Sequence, residues 1–78
     1  MPKQTFFNLP EGKKQRIIDA AVDEFAAFPY LKTSINRIIK KADIAKGSFY
    51  QYFENKKDLY KYIIDIAGET KLNFFRER

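Results

Sequence analysis

The 78-residue chain has no cysteine, so neither a disulfide nor a thiolate metal site can staple it. It has no histidine, which removes the commonest general base and metal ligand. No apolar run approaches the roughly 18 residues of a membrane span, and the opening "MPKQTFFNLPEGKK" lacks the apolar core of a secretory signal. A cytoplasmic chain without a membrane partner is therefore the default expectation. Strand signals are scarce: there is no alternating β-branched run and no Asn-Gly or Asp-Gly pair to turn a hairpin. Internal repeats, low-complexity tracts and flexible linkers are also missing. Without a phosphate-binding glycine loop or a carboxylate pair in an evident pocket, an enzyme finds little support, and no catalytic residue, cofactor or metal is expected.

What is there suits one small helical domain. Hydrophobic residues make up 45% of the chain and aromatics 17%, enough to bury a core and to exclude compositional disorder. The net charge is +5, and it is concentrated. Between Lys32 and Lys57 stand seven basic residues (Lys32, Arg37, Lys40, Lys41, Lys46, Lys56, Lys57) against two acids, Asp43 and Glu54, so the whole excess sits in the central third. Such a cluster beside exposed aromatic and amide groups suits a polyanion.

Helical periodicity runs through most of the chain. The first segment, from about Pro10 to Phe28, puts Ile18, Ala21, Val22, Phe25 and Phe28 on one stripe, with Asp19, Asp23 and Glu24 on the wet side. Pro29 stops it. The second is "TSINRIIKKA", with Thr33 as expected N-cap, Ile35, Ile38, Ile39 and Ala42 inward, and a turn at Asp43, a residue type that tolerates left-handed geometry. A third short segment starts near Ala45. With Phe49 set inward, Ala45 and Phe53 share its side, while Gly47 and Gln51 point directly away. The fourth opens at "ENKKDLY", where Asn55 and Asp58 form a variant capping box. It buries Leu59, Tyr62, Ile63 and Ile66, carries a broader apolar flank of Tyr60, Ile64 and Ala67, and is expected to end at Gly68 before a further helix in "ETKLNFFRER".

A helix, a three-residue turn and a short helix with a polar outer face outline a helix-turn-helix. Its second helix enters a major groove about 12 Å wide, which needs a slim, polar leading face. Gly47 allows the backbone close approach. Gln51 at the outermost point can bond N6 and N7 of adenine, with Ser48, Lys46 and Tyr50 as further readers. Thr33, Lys46, Ser48, Tyr50, Tyr52, Lys56 and Lys57 are placed to meet phosphates, with Ser34 and Arg37 at the start of the first motif helix.

The stretch "RIIDAAVDEFAAFPYLKTSINRIIKKADIAKGSFYQYFENKKDLYKYII", about two-thirds of the chain, resembles the N-terminal DNA-binding domain of TetR-type transcriptional regulators. The matching motifs are "RIIDAA" followed by Phe25, Tyr30 with Thr33-Ser34-Ile35, Ile38, "KGSFYQYF" and "NKKDLY". The resemblance implies an all-α, homeodomain-like helical bundle. It implies an arm at residues 1–9, a DNA-binding domain at 10–67 with its motif at about 34–53, and the start of a helical dimerisation and effector domain at 68–78. By the same resemblance, Thr33, Lys46, Gly47, Ser48, Tyr50, Gln51, Tyr52 and Lys56 occupy operator-contacting positions. The implied partners are double-stranded operator DNA, a second copy of the chain through the further domain, and a small-molecule effector bound there; the implied role is a repressor.

Three positions depart from the family pattern. Pro29 replaces the usual glycine before Tyr30, Asp43 replaces a turn glycine, and Ala45 replaces a serine that can cap the recognition helix. None removes a displayed side chain. The apolar tail Leu72, Phe74 and Phe75 is expected to continue into a longer protein. The residues alone leave a second class open, a helical protein–protein module using the fourth helix and that tail.

Overall fold

The computed structural model describes residues 2–69, all of whose regular elements are helical. They are α1 (Gln4–Phe7), α2 (Glu11–Ala27), a 3-10 turn (Tyr30–Lys32), α3 (Ile35–Ala42), α4 (Lys46–Tyr52) and α5 (Lys56–Glu69). α2 packs on α3 and α5, α3 on α4, and α1 on α4. One core results, in which Phe6, Ile17, Ile38, Phe49, Phe53, Leu59 and Ile63 are fully buried.

α2 begins after Pro10, whose ring suits a helix start, and stops where Pro29 forces the preceding Phe28 into extended backbone (φ −133°, ψ 148°). Its buried face is Ile17, Ala20, Ala21, Glu24 and Phe25, with Ile18 and Val22 on its flank. The expected stripe is thus wider and turned toward Ile17, because α2 must cover two helices at once. Phe28 falls off the stripe: once the chain leaves the helix its ring faces outward, 4.2 Å beneath the Arg37 guanidinium.

The turn after α3 runs as the sequence suggests. Asp43 adopts left-handed backbone (φ 62°, ψ 50°). Its N–H reaches Lys40 O at 3.2 Å and that of Ile44 reaches Ile39 O at 3.0 Å, the Schellman pattern that glycine usually serves. Arg16 Nε donates to Ala42 O at 3.2 Å and helps close the same end.

α5 starts as a capping box with a shifted partner. Asn55 Oδ1 accepts the Asp58 N–H at 2.9 Å, and the Asp58 carboxylate accepts the N–H of Glu54 at 3.0 Å rather than that of Asn55. The helix passes through Gly68 to Glu69, so the expected stop at Gly68 does not occur. The further helix expected in "ETKLNFFRER" and the tail residues Leu72, Phe74 and Phe75 lie outside the described residues, apart from Glu69.

The segment read as an arm, residues 1–9, lies against the core, with Gln4, Thr5, Phe7 and Asn8 exposed. Pro2 and Phe6 are buried, and the Phe6 ring lies 5.0 Å from Phe53, 5.5 Å from Tyr62 and 6.5 Å from Tyr52.

Candidate nucleic-acid interface

α3 and α4 are joined by Asp43, Ile44 and Ala45, and between them they expose Asn36, Arg37, Lys40, Lys41, Lys46, Gly47, Tyr50 and Gln51. α4 is oriented by two rings. Phe49 inside the helix and Phe53 just beyond it are fully buried. Because a helix turns about 100° per residue, Gly47 and Gln51 are then carried to the outside. Both are exposed, and a Cβ built on Gly47 would meet nothing within 4 Å. Lys46 is exposed, Ser48 half-buried, and Tyr50 42% exposed with its ring edge-on to Phe49. These five residues form the leading face. Ala45, expected inward beside Phe49, is exposed. It occupies the N-cap with extended backbone (φ −76°, ψ 152°), where helical angles no longer apply, and it offers no side-chain cap.

Other residues assigned to this surface have partners within the fold. Thr33 is 6% exposed, and its hydroxyl donates to Tyr30 O at 2.6 Å. It is not the N-cap of α3; Ser34 is, accepting the Arg37 N–H on Oγ at 3.2 Å. Tyr52 is 6% exposed, because it turns toward the core where Phe6 arrives, a meeting of chain ends that periodicity does not show. Arg37 lies at the surface, but its guanidinium serves Glu24, Lys32 O (3.0 Å) and the Phe28 ring. The Glu24 hydrogen bond pushes its pKa further up. Lys56 is half-buried, donates to Tyr30 O (3.0 Å) and Thr33 O (3.1 Å), and lies 4.6 Å over the Tyr30 ring. Two of its three donors are therefore committed to holding the 3-10 turn.

Within the cluster from Lys32 to Lys57, the exposed Lys32, Lys40, Lys46 and Lys57 make no ion pair among the described residues, whereas Lys41 pairs with Asp23 at 2.7 Å. Glu24 was the structural residue that sequence reasoning missed, being read as wet. The signal was present: it follows Ile17 and Ala21 at i, i+4, i+7 on the buried stripe.

An eight-residue helix, a left-handed turn and a seven-residue helix with a bare polar face define a helix-turn-helix domain of the DNA-reading kind. The comparisons with known proteins agree. The model for bacterial regulatory proteins of the tetR family matches residues 17–63. The fatty acid metabolism regulator protein of Bacillus subtilis (strain 168) is 43% identical over 66 residues, covering 85% of this chain and 32% of that protein. The probable acrEF/envCD operon repressor of Escherichia coli (strain K12) is 36% identical over 47 residues, covering 60% and 21%. A crystal structure of a TetR family transcriptional regulator from Chloroflexus aurantiacus J-10-FL superimposes with a TM-score of 0.86 at 56% identity, covering 100% of this chain and 36% of that one. The chain belongs to the tetR family of bacterial regulatory proteins, and it spans about a third or less of the length of these relatives. Among the described residues no helix is long and apolar enough to cross a membrane.

Proposed function

We propose that this domain is the operator-reading head of a cytoplasmic repressor that binds a palindromic site as a dimer and releases it when a further domain takes up a small-molecule effector. Gly47 is the observation that carries the reading. A glycine inside a helix costs up to ~1 kcal/mol relative to alanine. Here it has neither a positive φ nor any neighbour that would exclude a Cβ. The folded domain gains nothing from it; a groove wall approaching the α4 backbone does.

Gln51, one turn further on, reads a base edge, with Lys46, Ser48 and Tyr50 beside it. Lys46 and Lys57 neutralise phosphates on either side. Two such heads set about 34 Å apart would read successive half-sites. The names of relatives, an operon repressor among them, support repression.

The test is selection of bound sequences from random duplex DNA with the full-length protein, followed by melting and titration of Gly47→Ala. A palindrome is expected, with one symmetric base pair relaxed by Gln51→Ala. Gly47→Ala should melt higher than wild type yet bind the selected duplex at least severalfold more weakly. Binding with no sequence preference, or tighter binding by Gly47→Ala, would overturn the proposal.

A further inference from the structure

The last four carbonyls of a helix have no partner within it. In α4 these belong to Phe49, Tyr50, Gln51 and Tyr52. Phe53 N–H closes on Phe49 O at 2.9 Å. The other three are taken by the opening residues of the chain. Lys3 N–H donates to Tyr52 O at 2.8 Å, Lys3 Nζ donates to Tyr50 O at 2.9 Å, and the Thr5 hydroxyl donates to Gln51 O. The Lys3 ammonium also lies 3.9 Å from the Glu54 carboxylate, at the negative end of the helix dipole. Phe6, buried against Phe53 and Tyr62, anchors the segment that delivers these donors. The opposite end of α4 has no side-chain cap at Ala45. The short helix is therefore held from its C-terminal end by residues 46 and 47 positions away in sequence.

We propose that Lys3 and Thr5 are positioning residues for the recognition helix, setting its operator affinity without touching DNA. The inference deepens the operator reading above and rests on it. The carbonyls they grip belong to Tyr50 and Gln51, two residues of the leading face, and to Tyr52 beside them. Holding those peptide planes limits rotation of the helix about its axis and hence the aim of the Gln51 side chain. Sequence-specific contact needs that aim, whereas charge-driven binding to any duplex does not.

The experiment compares full-length wild type, Thr5→Val, Thr5→Ser and Lys3→Met on two duplexes: one recovered by selection with the wild type, and a shuffled duplex of the same composition. Thr5→Val and Lys3→Met should each bind the selected duplex about fivefold more weakly, the scale of one hydrogen bond. The shuffled duplex should change less than about twofold and the salt slope should stay constant, while Thr5→Ser restores wild-type binding. Backbone amide exchange on the DNA-free protein should speed up at Tyr50 to Phe53 in Thr5→Val. Parallel losses on both duplexes, or a salt slope lowered by about one, would make the segment a phosphate contact and overturn the positioning role. Unchanged affinity for the selected duplex would overturn it too. Failure to recover any preferred duplex would remove the operator reading and the positioning role with it, while the exchange rates still show whether the cap exists.

Discussion

One oxygen of Glu24 holds α2 to α3: Oε2 lies 2.6 Å from Arg37 Nη2, 2.9 Å from Arg37 Nε and 2.9 Å from the backbone N–H of Ser34. Glu24 is only 7% exposed, whereas the guanidinium side reaches solvent. The strongest single influence on this carboxyl is burial, which raises its pKa. Hydrogen bonds from Arg37 and Ser34, with the charges of Arg37 and Lys41, together outweigh it and hold the pKa below the ordinary 4.5.

A depressed carboxylate pKa adds stability that is fully present above the unfolded value and lost as pH falls through the folded one. The domain should therefore lose melting temperature as the pH drops below about 4.5. Glu24→Gln should melt lower than wild type at neutral pH and show a flatter acid limb. Parallel wild-type and variant curves of melting temperature between pH 6 and pH 3 (roughly the carboxylate range) would show that the carboxylate contributes nothing through its charge.

Phe6 and Phe28 should respond oppositely to the sequence-based expectation. Phe6, in the presumed arm, is fully buried, while Phe28, on the presumed core stripe, is 38% exposed. Phe6→Ala should cost about 3–5 kcal/mol, enough to unfold a small domain at room temperature or nearly so. Phe28→Ala should cost less than about 1 kcal/mol, its loss limited to a stacked guanidinium and partial burial. Urea denaturation of both variants decides the order; an equal or inverted pair would place the core elsewhere.

The N-cap of α4 is unused. Ala45 already has the extended backbone of a cap and lies exposed, so a hydroxyl can be added without a clash. Ala45→Ser should stabilise the domain by about 0.5–1 kcal/mol and raise its melting temperature by a few degrees, roughly what that energy yields in a domain of this size. Calorimetry showing no rise would mean that the C-terminal hold from Lys3 and Thr5 already keeps this helix from fraying.

The lysines divide into two classes. Lys46 and Lys57 are exposed and make no ion pair among the described residues, so Lys46→Ala and Lys57→Ala should each lower the salt slope of DNA binding by about one and leave the melting temperature within a degree or so. Lys56→Met should do the reverse. It removes two hydrogen bonds to the 3-10 turn and a cation over Tyr30, so the domain melts lower. Melting curves and titrations across salt for the three variants separate the two classes.

The leading face was legible because it follows from local rules. Placing Phe49 inward sends Gly47 and Gln51 outward wherever the helix sits, and an aspartate after "RIIKKA" supplies the left-handed turn. The box at Asn55 and Asp58 could be read from spacing in the same way. Three side chains that the sequence reading left outside are instead drawn in by partners distant along the chain, whereas Thr33 and Ala45 were decided by neighbours within a few residues. Tyr52 is covered by Phe6, Lys56 is drawn to the carbonyls of Tyr30 and Thr33, and Glu24 is neutralised by Arg37.

Composition, periodicity and turn chemistry alone thus determined a helical domain, its basic central third, and the face that α4 shows to the outside, since each depends on interactions within a few residues. Only the tertiary structure decided which polar side chains remain at that face and which are spent inside. Capping and ion pairing are distance-limited, and the donors at Lys3, Thr5 and Lys56 meet their carbonyls only after the chain has closed on itself.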